Sequence, residues 1–317
     1  MKSNMFRLSA LSAAVVVVLA SGNLHAGTVL SLSASTEASQ GAVSSAIPGS
    51  GDPLTYFSSN SSVYRTGGSA SAYSFANSGG AYAVSSDSTG SDAAAKANAA
   101  LRYTITNNTG ITQSYSASFK IYGGSISTDL VYGATLTGAE FLKSGYTASL
   151  TRGIDSLFYS DATLTRTVFG AALVTSGTVL NPLDDGTDGY YNWDSRYVTL
   201  NLGDLADGES MELLASLMQS SSSEVGVYDF GGGGGYDGYC GYQGYAGVAS
   251  RVAVSESGCF KGSSRGFYGD PFEVDTSNQL VISSRAANGV PEPGSLALML
   301  AALGGVALVR RKRRQTE

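Results

Sequence analysis

The sequence predicts a mainly β protein whose central domain, residues 27–284, is an antiparallel β-sandwich of jelly-roll-like or Ig-like architecture. Two observations support this fold class. Apolar and polar residues alternate in successive segments, as they do in a sheet that has one face on a core and one face in water. These segments also recur along the chain at a spacing that suits a sandwich.

The first predicted strand covers residues 28–35, where Leu30, Leu32 and Ala34 share one face. The rest of residues 27–82 is rich in Ser, Gly, Ala and Thr, which favours short strands, and residues 47–53 predict a loop. Residues 93–100 follow, and their alanines fit the start of a helix as well as a strand.

The clearest pattern predicts an antiparallel hairpin. Residues 101–105 and 115–121 both alternate, and Asn-Asn-Thr-Gly at 107–110 predicts the turn between them. One face of this hairpin is expected to pack on the core. The apolar residues of that face are Leu101, Tyr103, Ile105, Tyr115, Ala117, Phe119 and Ile121.

Further strands are predicted as far as the end of the domain. Residues 211–218 fit either a strand or a helix, because Leu214 and Met218 also suit a helical stripe. The closing strand is predicted at residues 279–284. The other candidates are residues 128–136, 141–152, 157–167 with a continuation to 174, 197–202 and 248–254.

Residues 1–26 are predicted to be a signal peptide. Lys2 and Arg7 precede an apolar, helix-forming segment at 8–20, and small residues lead up to a cleavage site after Ala26. Signal peptidase is therefore an expected processing partner. The chain is expected to be exported.

The charge and histidine content exclude several function classes. Residues 27–290 contain 12 Lys and Arg against 23 Asp and Glu, a net charge of −11, which disfavours nucleic acid as a partner. The only histidine, His25, lies in the signal peptide, so the mature chain lacks the commonest general base and metal ligand. We expect no catalytic residue, no cofactor and no enzymatic activity.

Cys240 and Cys259 are the only cysteines, and an exported chain passes through an oxidising compartment, so we predict a disulfide between them. Cys240 lies in a Gly/Tyr-rich insertion at residues 230–247, where glycine is too frequent for regular structure. We interpret this segment as a surface insertion tethered by the bridge. The alternative is a tyrosine platform for sugars or neighbouring chains.

An acidic loop supplies the candidate metal ligands. Asp184, Asp185 and Asp188 offer carboxylate oxygens between glycines, and calcium prefers oxygen ligands of this kind. The loop does not match the twelve-residue EF-hand pattern. A solvated acidic turn is the alternative interpretation.

Aromatic residues follow this loop. Tyr190, Tyr191 and Trp193 are candidate carbohydrate contacts, because aromatic rings stack on sugar faces while nearby carboxylates bind hydroxyl groups. The alternative is that these rings, with the only tryptophan, belong to the sandwich core.

The chain ends in residues 285–317, a linker and anchor with three parts in order. Residues 295–309 carry no charge and would form a helix of about 22 Å, short for a ~30 Å hydrocarbon core. We predict a short transmembrane helix there, stopped on the cytoplasmic side by the basic residues. The flanking parts are Pro291, Glu292 and Pro293 before it and Arg310, Arg311, Lys312, Arg313 and Arg314 after it.

These three parts resemble the bacterial PEP-CTERM sorting signal, which has a Pro-Glu-Pro motif, a short transmembrane helix and an Arg-rich cluster. The resemblance implies recognition by exosortase, a membrane-embedded cysteine protease-like enzyme. It also implies transient residence in the inner membrane, then the cell envelope surface or extracellular matrix of a Gram-negative bacterium. The alternative is an ordinary stop-transfer helix that remains in the inner membrane.

Proteins with such a signal commonly accompany exopolysaccharide production. The resemblance and the composition together predict an exported surface or matrix protein with a structural or adhesive role, associated with exopolysaccharide or biofilm. The alternatives are a carbohydrate-binding module and a secreted carbohydrate-active enzyme. The enzyme would need two carboxylates roughly 5 to 10 Å apart in a sugar cleft.

Overall fold

The computed structural model describes residues 28–48, 56–65, 67–77, 82–228, 259–268 and 281–287. Within them the chain forms strands and no helix, so the predicted mainly β fold class is confirmed. The predicted signal helix, the Gly/Tyr-rich insertion and the transmembrane segment lie outside the described residues.

The described residues contain eighteen strands, numbered in chain order. They are β1 (Thr28–Gln40), β2 (Val43–Pro48), β3 (Tyr56–Arg65), β4 (Gly68–Asn77), β5 (Tyr82–Gly90), β6 (Ala93–Thr106), β7 (Gln113–Ile121), β8 (Gly124–Leu130), β9 (Phe141–Arg152), β10 (Asp155–Thr167), β11 (Gly170–Gly177), β12 (Tyr190–Trp193), β13 (Arg196–Leu205), β14 (Ser210–Glu224), β15 (Val227–Tyr228), β16 (Cys259–Phe260), β17 (Gly262–Tyr268) and β18 (Val281–Ala286).

The strands form four antiparallel sheets, two large and two small. The seven-stranded sheet has the order β11-β10-β9-β14-β6-β1-β2, and the six-stranded sheet has the order β12-β8-β17-β5-β4-β3. A three-stranded sheet has the order β13-β7-β18, and β15 pairs with β16.

The two large sheets lie face to face, as in a β-sandwich. Strands β1, β6 and β14 of the first face β3, β4 and β5 of the second. Together, the seven-stranded and six-stranded sheets contain more strands than the seven to nine of an Ig-like domain or the eight of a jelly roll.

The three-stranded sheet covers the remaining inner face of the seven-stranded sheet. Tyr115 and Ala117 of β7 belong to the same apolar core as β6 and β14. The Phe119 ring of β7 meets the Phe158 ring of β10 edge-on, with centroids 5.7 Å apart. This half of the interior is filled by large side chains.

The predicted hairpin between residues 101 and 121 is wrong in its pairing. Its alternation is present, since Leu101, Ile105 and Tyr115 are buried. However, β6 pairs with β1 and β14, whereas β7 pairs with β13 and β18. The turn at 107–110 therefore carries the chain from one layer to the other.

Both segments that also fitted a helix are strands. Residues 93–100 begin β6, in which Ala93 and every second residue after it are buried. Residues 211–218 lie in β14, where alternation again sets the buried face. The strand predicted at 141–152 is confirmed as β9, whereas the one predicted at 128–136 ends at Leu130.

Small side chains line the interior between the two large sheets. Cα atoms of β4 and β5 come within 8 Å of those of β6, whereas packed sheets usually lie about 10 Å apart. Alanine and serine allow this close approach because they extend little from the backbone. The buried alanines of these two strands are Ala93, Ala95, Ala97 and Ala99 of β6 and Ala70, Ala72 and Ala76 of β4.

Hydroxyl groups connect the two large sheets directly. Thr36 Oγ1 of β1 lies 2.7 Å from Ser59 Oγ and 2.7 Å from Ser61 Oγ of β3. Ser264 Oγ of β17 donates to the Ser222 carbonyl of β14 at 2.8 Å. We call Thr36, Ser59, Ser61 and Ser264 the hydroxyl interface. Each of these buried hydroxyl groups has a hydrogen-bond partner in the opposite sheet, as buried polar groups generally need.

Candidate functional site

The predicted carbohydrate residues lie on β12, at the edge of the six-stranded sheet. Tyr191 and Trp193 are 0% and 3% exposed, whereas Tyr190 is 41% exposed. The Trp193 indole packs against the Tyr146 ring, with centroids 4.4 Å apart, and its Nε1 donates to the Tyr122 carbonyl at 2.9 Å. Two of the three rings are therefore core rings, and only Tyr190 faces solvent.

The predicted calcium ligands accept hydrogen bonds from backbone and side-chain groups of their own loop. Asp184 accepts from the Gly186 amide at 3.0 Å, and Asp188 accepts from the Tyr190 amide at 2.8 Å. Asp185 accepts from the Thr187 hydroxyl at 2.8 Å and from its amide, which lowers the pKa of Asp185. Among the described residues, no group of three acidic, His or Cys side chains is placed to hold a metal ion.

The structure brings together charged residues that the sequence did not single out. Strand β17 lies between β5 and β8, so Arg265 stands opposite both Asp87 and Ser127. The Arg265 Nε lies 2.8 Å from Asp87 Oδ2, and Ser127 Oγ donates to Asp129 Oδ2 at 2.8 Å. We call Asp87, Arg265, Ser127 and Asp129 the Asp87 cluster.

Burial dominates the electrostatics of the Asp87 cluster. It raises the pKa of Asp87 from 3.8 to about 6; the Arg265 guanidinium opposes this rise, and the Asp129 carboxylate adds to it. A carboxyl group with this pKa gains or loses its proton within the pH range of natural environments. Sequence could not reveal the cluster, because Asp87 and Arg265 stand in separate Ser-rich strands and meet only through sheet register.

A second, partly buried ion pair joins the loop before β9 to Lys261, the residue between β16 and β17. Lys261 Nζ lies 2.7 Å from Glu140 Oε2, and Glu140 also accepts from the amides of Gly226 and Thr137. Burial by itself raises the pKa of Glu140, but these hydrogen bonds outweigh it and lower the pKa to about 2. Glu140 therefore has a structural role, because both of its carboxylate oxygens accept hydrogen bonds from neighbouring groups.

The outer face of the three-stranded sheet combines an exposed ring with a row of hydroxyls. Tyr197 of β13 is 72% exposed. Beside it, Ser118 Oγ and Thr199 Oγ1 lie 2.8 Å apart. The next rung joins Ser116 and Ser283 at 2.7 Å. A flat face of this kind offers a stacking surface and hydroxyls to a sugar.

Several predicted features lie outside the described residues. They include the Pro-Glu-Pro motif at 291–293, the basic cluster at 310–314 and Cys240, so the disulfide to Cys259 stays a prediction. The part of the chain that the structure describes contains no helix that is long and apolar enough to cross a membrane.

Comparison with known families identifies the C-terminal segment. A family model described as the PEP-CTERM protein-sorting motif matches residues 289–314. The match includes the Pro-Glu-Pro motif, the apolar run and the basic cluster, so the predicted resemblance is confirmed. The motif suggests an exported cell-envelope protein that is processed by exosortase. No curated protein sequence matches the chain.

Proposed function

We propose that this chain, which carries a PEP-CTERM sorting motif at residues 289–314, is a surface or extracellular-matrix protein with a structural or adhesive role. The motif is the observation that carries the proposal. Signal peptidase removes residues 1–26, the C-terminal helix holds the chain in the inner membrane, and exosortase then acts at the motif. The folded domain afterwards works among exopolysaccharide or within a biofilm of a Gram-negative bacterium.

The outer face of the seven-stranded sheet supports contact with a hydrated polymer. Thr163 and Thr165 of β10 lie on this face, in register through β9 with Ser220 and Ser222 of β14. Hydroxyl groups both donate and accept hydrogen bonds, as sugar hydroxyls do. A broad face of this chemistry suits many weak contacts along a polysaccharide.

Terminal peptide mapping of the protein from cell envelope and culture supernatant tests the sorting step. We expect wild-type protein to lack the residues after the motif. A variant with Pro291, Glu292 and Pro293 replaced by alanine should keep them and stay in the inner membrane. Retention of Arg310 to Arg314 in both proteins would instead identify a plain membrane anchor.

A carbohydrate-binding module is the second candidate, and the Tyr197 face of the three-stranded sheet favours it. Stacking on one exposed ring contributes about 1 kcal/mol, so binding would be weak and multivalent. A secreted carbohydrate-active enzyme is a further alternative that lacks such an observation.

Glycan-array binding of the purified protein separates the module from the structural role. A specific sugar signal that Tyr197→Ala abolishes would establish the module. Tyr132→Ala is the matched control, because Tyr132 is 98% exposed in a loop away from the strands of this face. Array silence together with normal matrix incorporation would support the structural role.

A further inference from the structure

Strand β11 ends the seven-stranded sheet, and no strand of the described residues pairs with its second edge. Val174 is 67% exposed, and the β10–β11 turn presents Val168 and Phe169 at 50% and 97% exposure. Turns normally carry polar residues, so exposed apolar side chains in both this turn and this strand are unusual. An open strand edge offers N–H and C=O groups to another strand.

The other edge strands in the described part of the chain carry features that block pairing. β2 ends in Pro48, which has no N–H, and β12 has only four residues. β3 ends in Arg65, β13 begins at Arg196 and contains a bulge, and β18 carries Arg285. Charges, proline, bulges and short length are the devices that protect natural edges.

β11 has none of these devices. Its sequence, Gly-Ala-Ala-Leu-Val-Thr-Ser-Gly, contains no charge and no proline, and its pairing with β10 contains no bulge. Residues 27–290 carry a net charge of −11, so two copies repel each other over most of their surface. The uncharged edge is a place where two copies can meet without placing carboxylates together.

The strand is also complementary to itself. If two copies pair antiparallel about Leu173, each Ala172 stands opposite the other Val174 on the outer face. On the inner face Leu173 meets Leu173, and Ala171 stands opposite Thr175. Apolar or small residues thus face each other throughout, which is the pairing that stabilises antiparallel strands.

We propose that β11 pairs antiparallel with β11 of a second copy of this chain, in register about Leu173, and joins two seven-stranded sheets into one. The pairing is independent of the role proposed above, since it concerns self-association and not the ligand. A symmetric strand pair of this kind closes as a dimer.

Sedimentation velocity of the processed protein purified from cells, between about 1 and 100 μM, tests the pairing. Wild type should dimerise, and Val174→Lys should raise the dimer dissociation constant about 100-fold or more, because it places like charges together. Ile154→Lys is the matched control: Ile154 is fully exposed in the β9–β10 turn, and the variant should dimerise like wild type. A monomeric wild type, or equal dimerisation of Val174→Lys, would overturn the proposal.

Cysteine cross-linking tests the register. Leu173→Cys places two thiols directly opposite each other, within the reach of a disulfide, so mild oxidation should give a covalent dimer. Thr175→Cys lies on the same face, but its two copies are about 13 Å apart in this register and should not cross-link. Cross-linking of Thr175→Cys alone, of both variants, or of neither, would contradict the pairing about Leu173.

Discussion

At the scale of single residues, Asp87 and Glu140 show that burial alone does not set the pKa of a carboxylate. Burial raises the pKa of Asp87 to about 6, because one guanidinium offsets only part of the lost hydration and Asp129 lies near. The Glu140 side chain is 17% exposed, and partial burial raises its pKa, yet Lys261 and two backbone amides lower that pKa to about 2. The number of donors around each carboxylate decides the sign.

Asp87 makes the stability of the fold depend on pH. Its folded-state pKa lies above the unfolded value of 3.8, so its contribution is fully present below about pH 4 and is lost as the pH rises through about 6. The change amounts to about 3 kcal/mol. Asp87→Asn should remove this dependence, as measured by urea unfolding at a series of pH values.

Asp155→Asn is the control for this experiment, because it removes a carboxylate that is 59% exposed beside Arg152. We expect it to unfold with the same pH profile as wild type between pH 4 and 6. If Asp87→Asn also kept the wild-type profile, Asp87 would not be the titrating group.

Glu140 acts in the opposite direction. Its folded-state pKa lies below the unfolded value of 4.5, so its stabilisation is present above about pH 4.5 and is lost as the pH falls through about 2. Glu140→Gln should lower the free energy of unfolding at pH 7 by about 2 to 3 kcal/mol, because Lys261 loses its partner. Chemical denaturation measures this change.

Glu212→Gln serves as the comparison for Glu140→Gln. Glu212 lies 3.7 Å from Arg102, and both side chains are more than half exposed. Its loss should cost less than about 1 kcal/mol. Equal losses for the two variants would argue against a special role of the Glu140 ion pair.

At the scale of the elements, alternation predicted which residues are buried but not which strands pair. The error at residues 101–121 has a physical cause in Asn107, which is fully buried. Its side-chain amide donates to the Leu205 carbonyl at 2.8 Å and to the Ile111 carbonyl at 2.7 Å. These bonds fix the turn to the end of β13 and direct β7 into the other layer.

Gly124 marks a contact between elements that tolerates no side chain. A Cβ there would overlap the Trp193 ring and lie 2.7 Å from the Phe267 carbonyl oxygen. Gly124→Ala should therefore lower the free energy of unfolding by about 1 to 3 kcal/mol. Since Trp193 is the only tryptophan, its fluorescence emission should shift to the red as the indole moves from the core.

Gly110→Ala provides the control for the fluorescence measurement. A Cβ at Gly110 would meet nothing within 4 Å, although its φ of +80° makes alanine strained there. This variant should lose about 1 kcal/mol of stability while its emission stays at the wild-type wavelength. An unshifted emission in Gly124→Ala would show that the core accommodates the extra methyl group.

At the scale of the whole molecule, the sequence predicted the fold class and the sorting motif but not which strands are neighbours. The mainly β class followed from alternation, and the sorting motif followed from three segments in sequence at the chain end. The Asp87 cluster and the burial of Tyr191 and Trp193 depend on which strands become neighbours. Single-sequence patterns do not contain that information, because one alternating strand fits several partners equally well.

The alanines and the hydroxyl interface have a calorimetric consequence for the molecule. Unfolding exposes apolar surface, which raises the heat capacity, and polar surface, which lowers it. The half of the interior that is lined by alanine and serine exposes little apolar surface and much polar surface. We expect scanning calorimetry to give a heat-capacity increment below the usual ~12 to 15 cal/mol/K per residue. The stability curve would then be flat, and the protein would keep nearly constant stability from cold to warm surroundings.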